Sequence, residues 1–158
     1  MTPLKHIVVA TDFSENSKEA VEYAADLAKT LGADLTVVHV VEDILETAAS
    51  IPNFYAGLEG FDKQLIELKS KVNKELQKEA EKIEKQGVKV KGELLEGNPT
   101  VELIKYPQEH PCDLLVLGTH GRTGIPHLLI GSVAEKVVRK SSCAVLTVRK
   151  KGFQHKPL

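Results

Sequence analysis

Residues 114–132 read LLVLGTHGRTGIPHLLIGS, and the fold turns on this stretch. It opens with an unbroken apolar run, Leu114-Leu115-Val116-Leu117. Gly118, Gly121 and Gly124 follow at equal spacing, and Gly131-Ser132 heads a helical pattern. An apolar run without alternation marks a strand covered on both faces. A buried strand that leaves into a glycine-rich loop and then a helix start is how many α/β proteins hold phosphate. Glycine lets backbone approach a ligand closely and takes up positive φ. The first N–H groups of a helix lack internal partners, and the helix dipole favours an anion beside them. The stretch therefore reads as a cradle for the phosphates of a nucleotide. It is not a Walker A loop, because no GxxxxGK[ST] occurs, and it is not a GxGxxG fingerprint. A surface loop with ordinary turn glycines is the plainer alternative.

Upstream of this stretch, strand and helix patterns alternate. Ile7-Val8-Val9-Ala10 is a continuous apolar run ending at Thr11-Asp12-Phe13-Ser14. A helical pattern follows with Ala20, Ala24, Leu27, Ala28 and Leu31 on one face, and Gly32 stands at the C′ position. Residues 34–41 form a second strand. Residues 42–60, with Pro52 and Phe54-Tyr55, read as a long loop or lid. A charged helix is predicted over 61–86, with Leu65, Leu68, Val72, Leu76 and Ile83 as its apolar stripe and Gly87 as its stop. Residues 88–95 alternate and predict a third strand near an edge. Asn98-Pro99 predicts a helix start, with Asn as N-cap and Pro at N1. Val101 and Ile104 are expected to face inward, and Pro107 to kink or stop the helix near Tyr106. A fourth strand over 113–117, a helix over 132–140 and a fifth strand over 144–149 complete the series, before a polar tail. Such alternation gives one doubly wound α/β sheet of five parallel strands with helices on both faces and right-handed crossovers. Ligands of such sheets bind at the carboxyl ends of strands, where the strand order reverses. That rim gathers Ala10, Thr11 and Asp12, then His39 to Val41, then Gly118 onward.

Composition narrows the function. A chain of 158 residues suggests one domain. A net charge of −1 supplies no basic field for nucleic acid or an acidic membrane. Aromatics are 4% with no Trp, which argues against platforms for base stacking. The first residues lack the apolar core of a signal peptide, and no apolar run approaches the ~20 residues of a membrane span. A cytoplasmic protein is expected. Cys112 and Cys143 each precede a predicted strand and read as reduced thiols; a redox or metal role would need clustered partners.

Each rim residue has an ordinary alternative. Asp12 could accept hydrogen bonds from adenine or ribose, or it could cap the first helix, with Glu15 completing a capping box. Ser14 can serve as that cap instead. His39 reads as a packed strand histidine. Ser132-Val133-Ala134-Glu135 is itself a capping box, and a cap residue lies where a phosphate would sit. Arg122 could neutralise phosphate charge, with His120 and Thr119 beside Gly121. One arginine does not balance a triphosphate, so Mg²⁺ or Mn²⁺ is expected, held mainly by phosphates, waters and a hydroxyl.

The spacing of Gly118, Gly121, Gly131 and Ser132, G-2x-G-9x-G-[ST], resembles the signature of the ATP-binding branch of the universal stress protein family. The likeness extends to residues 7–14, to Val38-His39-Val40, to residues 112–122 and to residues 131–137. It implies a Rossmann-like fold of the adenine nucleotide alpha hydrolase-like kind over 1–150; residues 151–158, by their polarity, read as a loose tail. It also implies a homodimer paired through the last strand. It places an adenosine contact at Asp12 and an adenine contact at the backbone of Val40. The nucleotide site so implied comprises Ala10, Thr11, Asp12, Val40, Gly118, Thr119, His120, Gly121, Arg122, Gly131, Ser132 and Val133. Ala144 stands where proline is common before the fifth strand. The expected function is an ATP-binding stress-response regulator or switch. The alternative is a slow metal-dependent ATPase or phosphotransferase, but no committed base is evident beyond Asp12, His39 and His120.

Overall fold

The computed structural model describes residues 3–43, 60–120 and 130–152. Most of the proposed lid, together with Gly121, Arg122, Gly124 and the end of the tail, lies outside the described residues. Five parallel strands form one sheet in the order β3-β2-β1-β4-β5. In chain order the elements are β1 (His6–Ala10), α1 (Glu15–Leu31), β2 (Asp34–Val41), α2 (Phe61–Glu84), β3 (Val90–Glu96), α3 (Pro99–Glu109), β4 (Leu114–Gly118), α4 (Ser132–Lys140) and β5 (Ala144–Val148). The order runs outward from β1 through β2 to β3, then returns to place β4 on the other side of β1. The reversal lies between β1 and β4.

The sheet is covered on both faces, as its unbroken apolar strands require. Ile7 and Val9 of β1, with Leu114 and Val116 of β4, pack beneath α1 and α2. Val8, Leu115 and Leu117 point to the opposite face, against Leu103 and Tyr106 of α3 and Ala134 and Val137 of α4. α1 presents Ala20, Ala24, Ala25 and Ala28, all buried. Small side chains let a helix axis lie close to the strands. Gly92 on β3 serves the same end, since a Cβ there would stand 3.0 Å from Leu76 Cγ of α2.

Several expectations shift by a turn or a face. Leu31, Leu68 and Val101 are exposed rather than inward. α2 stops at Glu84, and the turn that follows ends at Gly87 with φ +88°. α3 does not stop near Tyr106 but runs through Pro107 to Glu109. Proline removes one N–H and disfavours helix at the residue before it. Here Tyr106 is fixed by burial, by its hydroxyl's bond to the Glu93 carboxylate, and by stacking on His110 at 4.2 Å. Tertiary contacts thus override the local penalty. Burial pushes the Glu93 carboxyl up, but bonds from Lys91 and Tyr106 outweigh it and hold it below its usual range.

Candidate functional site

The rim at the carboxyl ends of β1, β2 and β4 is assembled by a small set of polar contacts. Ser14 is the N-cap of α1, with its side chain accepting from Ser17 N–H at 3.2 Å. Asp12 therefore does not cap the helix, yet one of its oxygens is engaged: Oδ1 accepts from Ser14 N–H at 3.0 Å. Ser17, unremarked in the sequence, sits at the centre of the turn. Its hydroxyl donates to Ser14 C=O at 2.9 Å and accepts from Asp12 N–H at 3.3 Å, and it lies 3.1 Å from Thr11 Oγ1. Only the pair Ser14-x-x-Ser17 hinted at it.

Phe13 takes up φ 61°, the left-handed region that a bulky residue rarely enters. Its N–H donates to Thr11 Oγ1 at 3.1 Å, and its ring packs on His39 with centroids 4.7 Å apart. His39 is buried, and its Nδ1 bonds Thr11 C=O at 2.7 Å. The histidine is a packed strand residue that holds the β1 exit, as expected. Non-glycine residues in such conformations persist where the surroundings over-determine them, and they cluster at functional sites.

β2 outruns β1. The ladder between them ends at Ala10↔Val38, closed by Thr11 N–H to Val38 C=O at 2.9 Å, whereas β2 continues to Val41. In a parallel sheet alternate residues turn their N–H and C=O to the same neighbour. Val38 faces β1, so Val40 does also. Val41 faces β3, as its C=O accepts from Gly97 N–H at 3.0 Å. The peptide groups of Val40 thus look past the end of β1 into the rim.

β4 closes the other side. Thr119 N–H donates to Val148 C=O at 3.0 Å, and Gly131 N–H donates to Thr119 C=O at 2.5 Å. The start of α4 is thereby pinned one residue beyond β4. Ser132 is not the cap of this helix. Gly131 occupies that place, with no side-chain bond to the first turn, and Ser132 is the first helical residue. The capping box fails because Ser132 lies one position too far along. Ser132 is exposed and Val133 half-buried. Among the described residues no side chain caps the first-turn N–H groups, those of Ser132 and Val133 included. Thr119 is buried, and its hydroxyl meets His120 Nδ1 at 3.0 Å. Gly118 has a structural duty. A Cβ there would stand 3.1 Å from Asn16 C=O, so the glycine lets α1 begin against β4.

Among the expected site residues, Ala10, Thr11, Asp12, Val40, Gly118, Thr119 and His120 lie at the carboxyl ends of β1, β2 and β4, and Gly131, Ser132 and Val133 lie at the start of α4, which Gly131 fastens to Thr119. Among the described residues no group of three or more His, Cys, Asp or Glu side chains could hold a metal.

A parallel five-stranded sheet with this strand order and a polar rim at its switch point defines an α/β protein of the doubly wound class. Residues 3–149 match the universal stress protein family, and the chain belongs to that family. Universal stress protein MJ0531 of Methanocaldococcus jannaschii is 36% identical over 147 residues, spanning 92% of this chain and 82% of the relative. MJ0577 of the same organism is 30% identical over 156 residues, spanning 94% and 96%. The solved structure of MJ0577 superposes with a TM-score of 0.80 at 27% identity, covering 96% of this chain and 99% of that one. A universal stress protein from Archaeoglobus fulgidus, solved in complex with dAMP, aligns with a TM-score of 0.62 at 23% identity over 92% and 98% of the two chains.

Proposed function

We propose that this chain binds ATP at the rim between β1, β2 and β4 and acts as a nucleotide-dependent regulator in the response to stress. One observation carries this reading. The start of α4, without a side-chain cap among the described residues and fastened by Gly131 to Thr119, lies on the same rim as the outward-turned peptide groups of Val40. The first suits phosphate. The second suits the edge of a purine, which a backbone N–H and C=O can read together. Asp12 lies at the β1 exit on that rim, fitted to the ribose or the base. The A. fulgidus protein with dAMP, alike in fold, supports an adenine nucleotide as the class of ligand.

The cation would be Mg²⁺ or Mn²⁺, held by phosphate oxygens and water with at most a hydroxyl from the protein. Pairing of two chains through β5, an edge strand of the sheet, and a cytoplasmic location belong to the same proposal. Binding and turnover are separated by incubating purified protein with ATP and Mg²⁺ and measuring bound nucleotide and free phosphate together. A regulator retains ATP with phosphate release far below ~1 s⁻¹, the low end for enzymes. Turnover at or above that rate would make it an enzyme instead.

A further inference from the structure

Cys112 and Cys143 are 31 residues apart in sequence, yet their sulfurs lie 3.5 Å apart. Both are free thiols and both are half-buried. They stand where β4 and β5 enter the sheet, just ahead of the first ladder pair Leu114↔Ala144. This is the end of the sheet away from the nucleotide rim. A disulfide needs sulfurs at ~2.05 Å, so closure asks for only ~1.5 Å of approach. Cys143 has a defined seat: its Sγ lies 3.4 Å from Ser141 Oγ and its N–H donates to the same oxygen at 3.3 Å. Cys112 packs with the apolar cluster under α3 and α4. No third His, Cys, Asp or Glu joins the pair as a metal-holding group among the described residues. The pair therefore suits two-thiol chemistry.

We infer that Cys112 and Cys143 form a reversible redox site, oxidised by a low-molecular-weight disulfide to an intrachain bond that staples β5 to β4. The thiolate of Cys143 attacks one sulfur of the small disulfide, forming a mixed disulfide and expelling one small thiolate. Cys112 then attacks the Cys143 sulfur and expels the second. Two electrons pass from the cysteines to the small disulfide, and the two cysteine protons end on the two small thiols released. Burial, and next the neighbouring Cys143, push the Cys112 thiol up, so the first attack falls to Cys143; once Cys143 is held in the mixed disulfide its push on Cys112 is relieved, and Cys112 gives up its proton as it attacks.

The test uses the full chain, reduced, desalted and incubated with oxidised glutathione, followed by alkylation and peptide mass mapping. The expected result is loss of both alkylatable thiols, a Cys112–Cys143 linked peptide, migration as a single chain without reductant, and full reversal by dithiothreitol. Cys112→Ser is expected to stop at one glutathione adduct on Cys143. Cys143→Ser is expected to leave Cys112 free under the same exposure. Retention of both thiols by the wild type, a stable glutathione adduct on it, or a link between two chains would each overturn the inference. The wild-type map decides the matter even if a serine variant folds poorly.

Discussion

Gly118 at the end of β4 lies against Asn16 in the first turn of α1, so closely that a methyl group on the glycine would stand 3.1 Å from the asparagine's backbone oxygen and 3.3 Å from its carbonyl carbon. Backbone cannot swing aside as a flexible side chain does. Gly118→Ala should therefore lower stability by ~1–3 kcal/mol, the usual cost of overpacking. It should also shift the β1 exit, because Asn16 adjoins the Ser14–Ser17 turn. Urea denaturation with and without nucleotide checks both. An unchanged midpoint would show that α1 does not rest on β4 as described.

Asp12 has two roles at the β1 exit. It holds Ser14 N–H through Oδ1 and serves the proposed nucleoside contact. Asp12→Ala should weaken adenosine and ATP by the same factor, ~10-fold or more, because a hydrogen bond to a charged group contributes ~1.5–3 kcal/mol. Calorimetric titration of both ligands distinguishes the roles. A loss confined to ATP would move Asp12 from the nucleoside to the phosphates.

Gly121 belongs to the glycine run between β4 and α4 that is proposed to receive the phosphates. Gly121→Val should abolish ATP binding while thermal unfolding stays cooperative and near the wild-type temperature, since the branched side chain would occupy the phosphate's place. Unaltered affinity in this variant would mean that the phosphates sit elsewhere.

Asp113 ties the chain start to β4. Its Oδ2 accepts from Lys5 N–H and His6 N–H at 2.8 Å each, and these two bonds, the largest causes, hold the carboxyl below its usual range. A depressed carboxyl pKa stabilises the fold fully above the unfolded value of ~3.9, and the gain is lost as pH falls through the folded value. Asp113→Ala should cost about 1 kcal/mol at neutral pH, discounted for solvent from the full worth of charged hydrogen bonds. The gap between variant and wild type should close as pH falls below ~4. A gap independent of pH would assign the effect to packing instead.

The strands were legible because burial on both faces leaves an unbroken apolar signature in Ile7-Val8-Val9 and Leu114-Leu115-Val116-Leu117. Gly32, with φ +65°, and Asn98, whose side chain accepts from two first-turn N–H groups, end and begin helices as their chemistry predicts. Pro107 misled because its penalty is local, whereas Tyr106 is fixed by contacts across the fold. Leu31, Leu68 and Val101 misled because a helix-wide stripe says which face is apolar but not how far the sheet extends beneath it. At the site, the gathering of β1, β2 and β4 ends followed from the alternation of elements. The Ser17 hydroxyl, the left-handed Phe13 and the proximity of Cys112 to Cys143 did not, since each depends on three-dimensional neighbours that spacing does not encode.

Calorimetric titration of the purified, reduced protein with ATP in the presence of Mg²⁺ tests nucleotide binding at the rim itself. Saturable uptake of one ATP per chain, competed by adenosine, is the predicted result. A flat titration from a properly folded sample, with Mn²⁺ in place of Mg²⁺ giving the same, would contradict it.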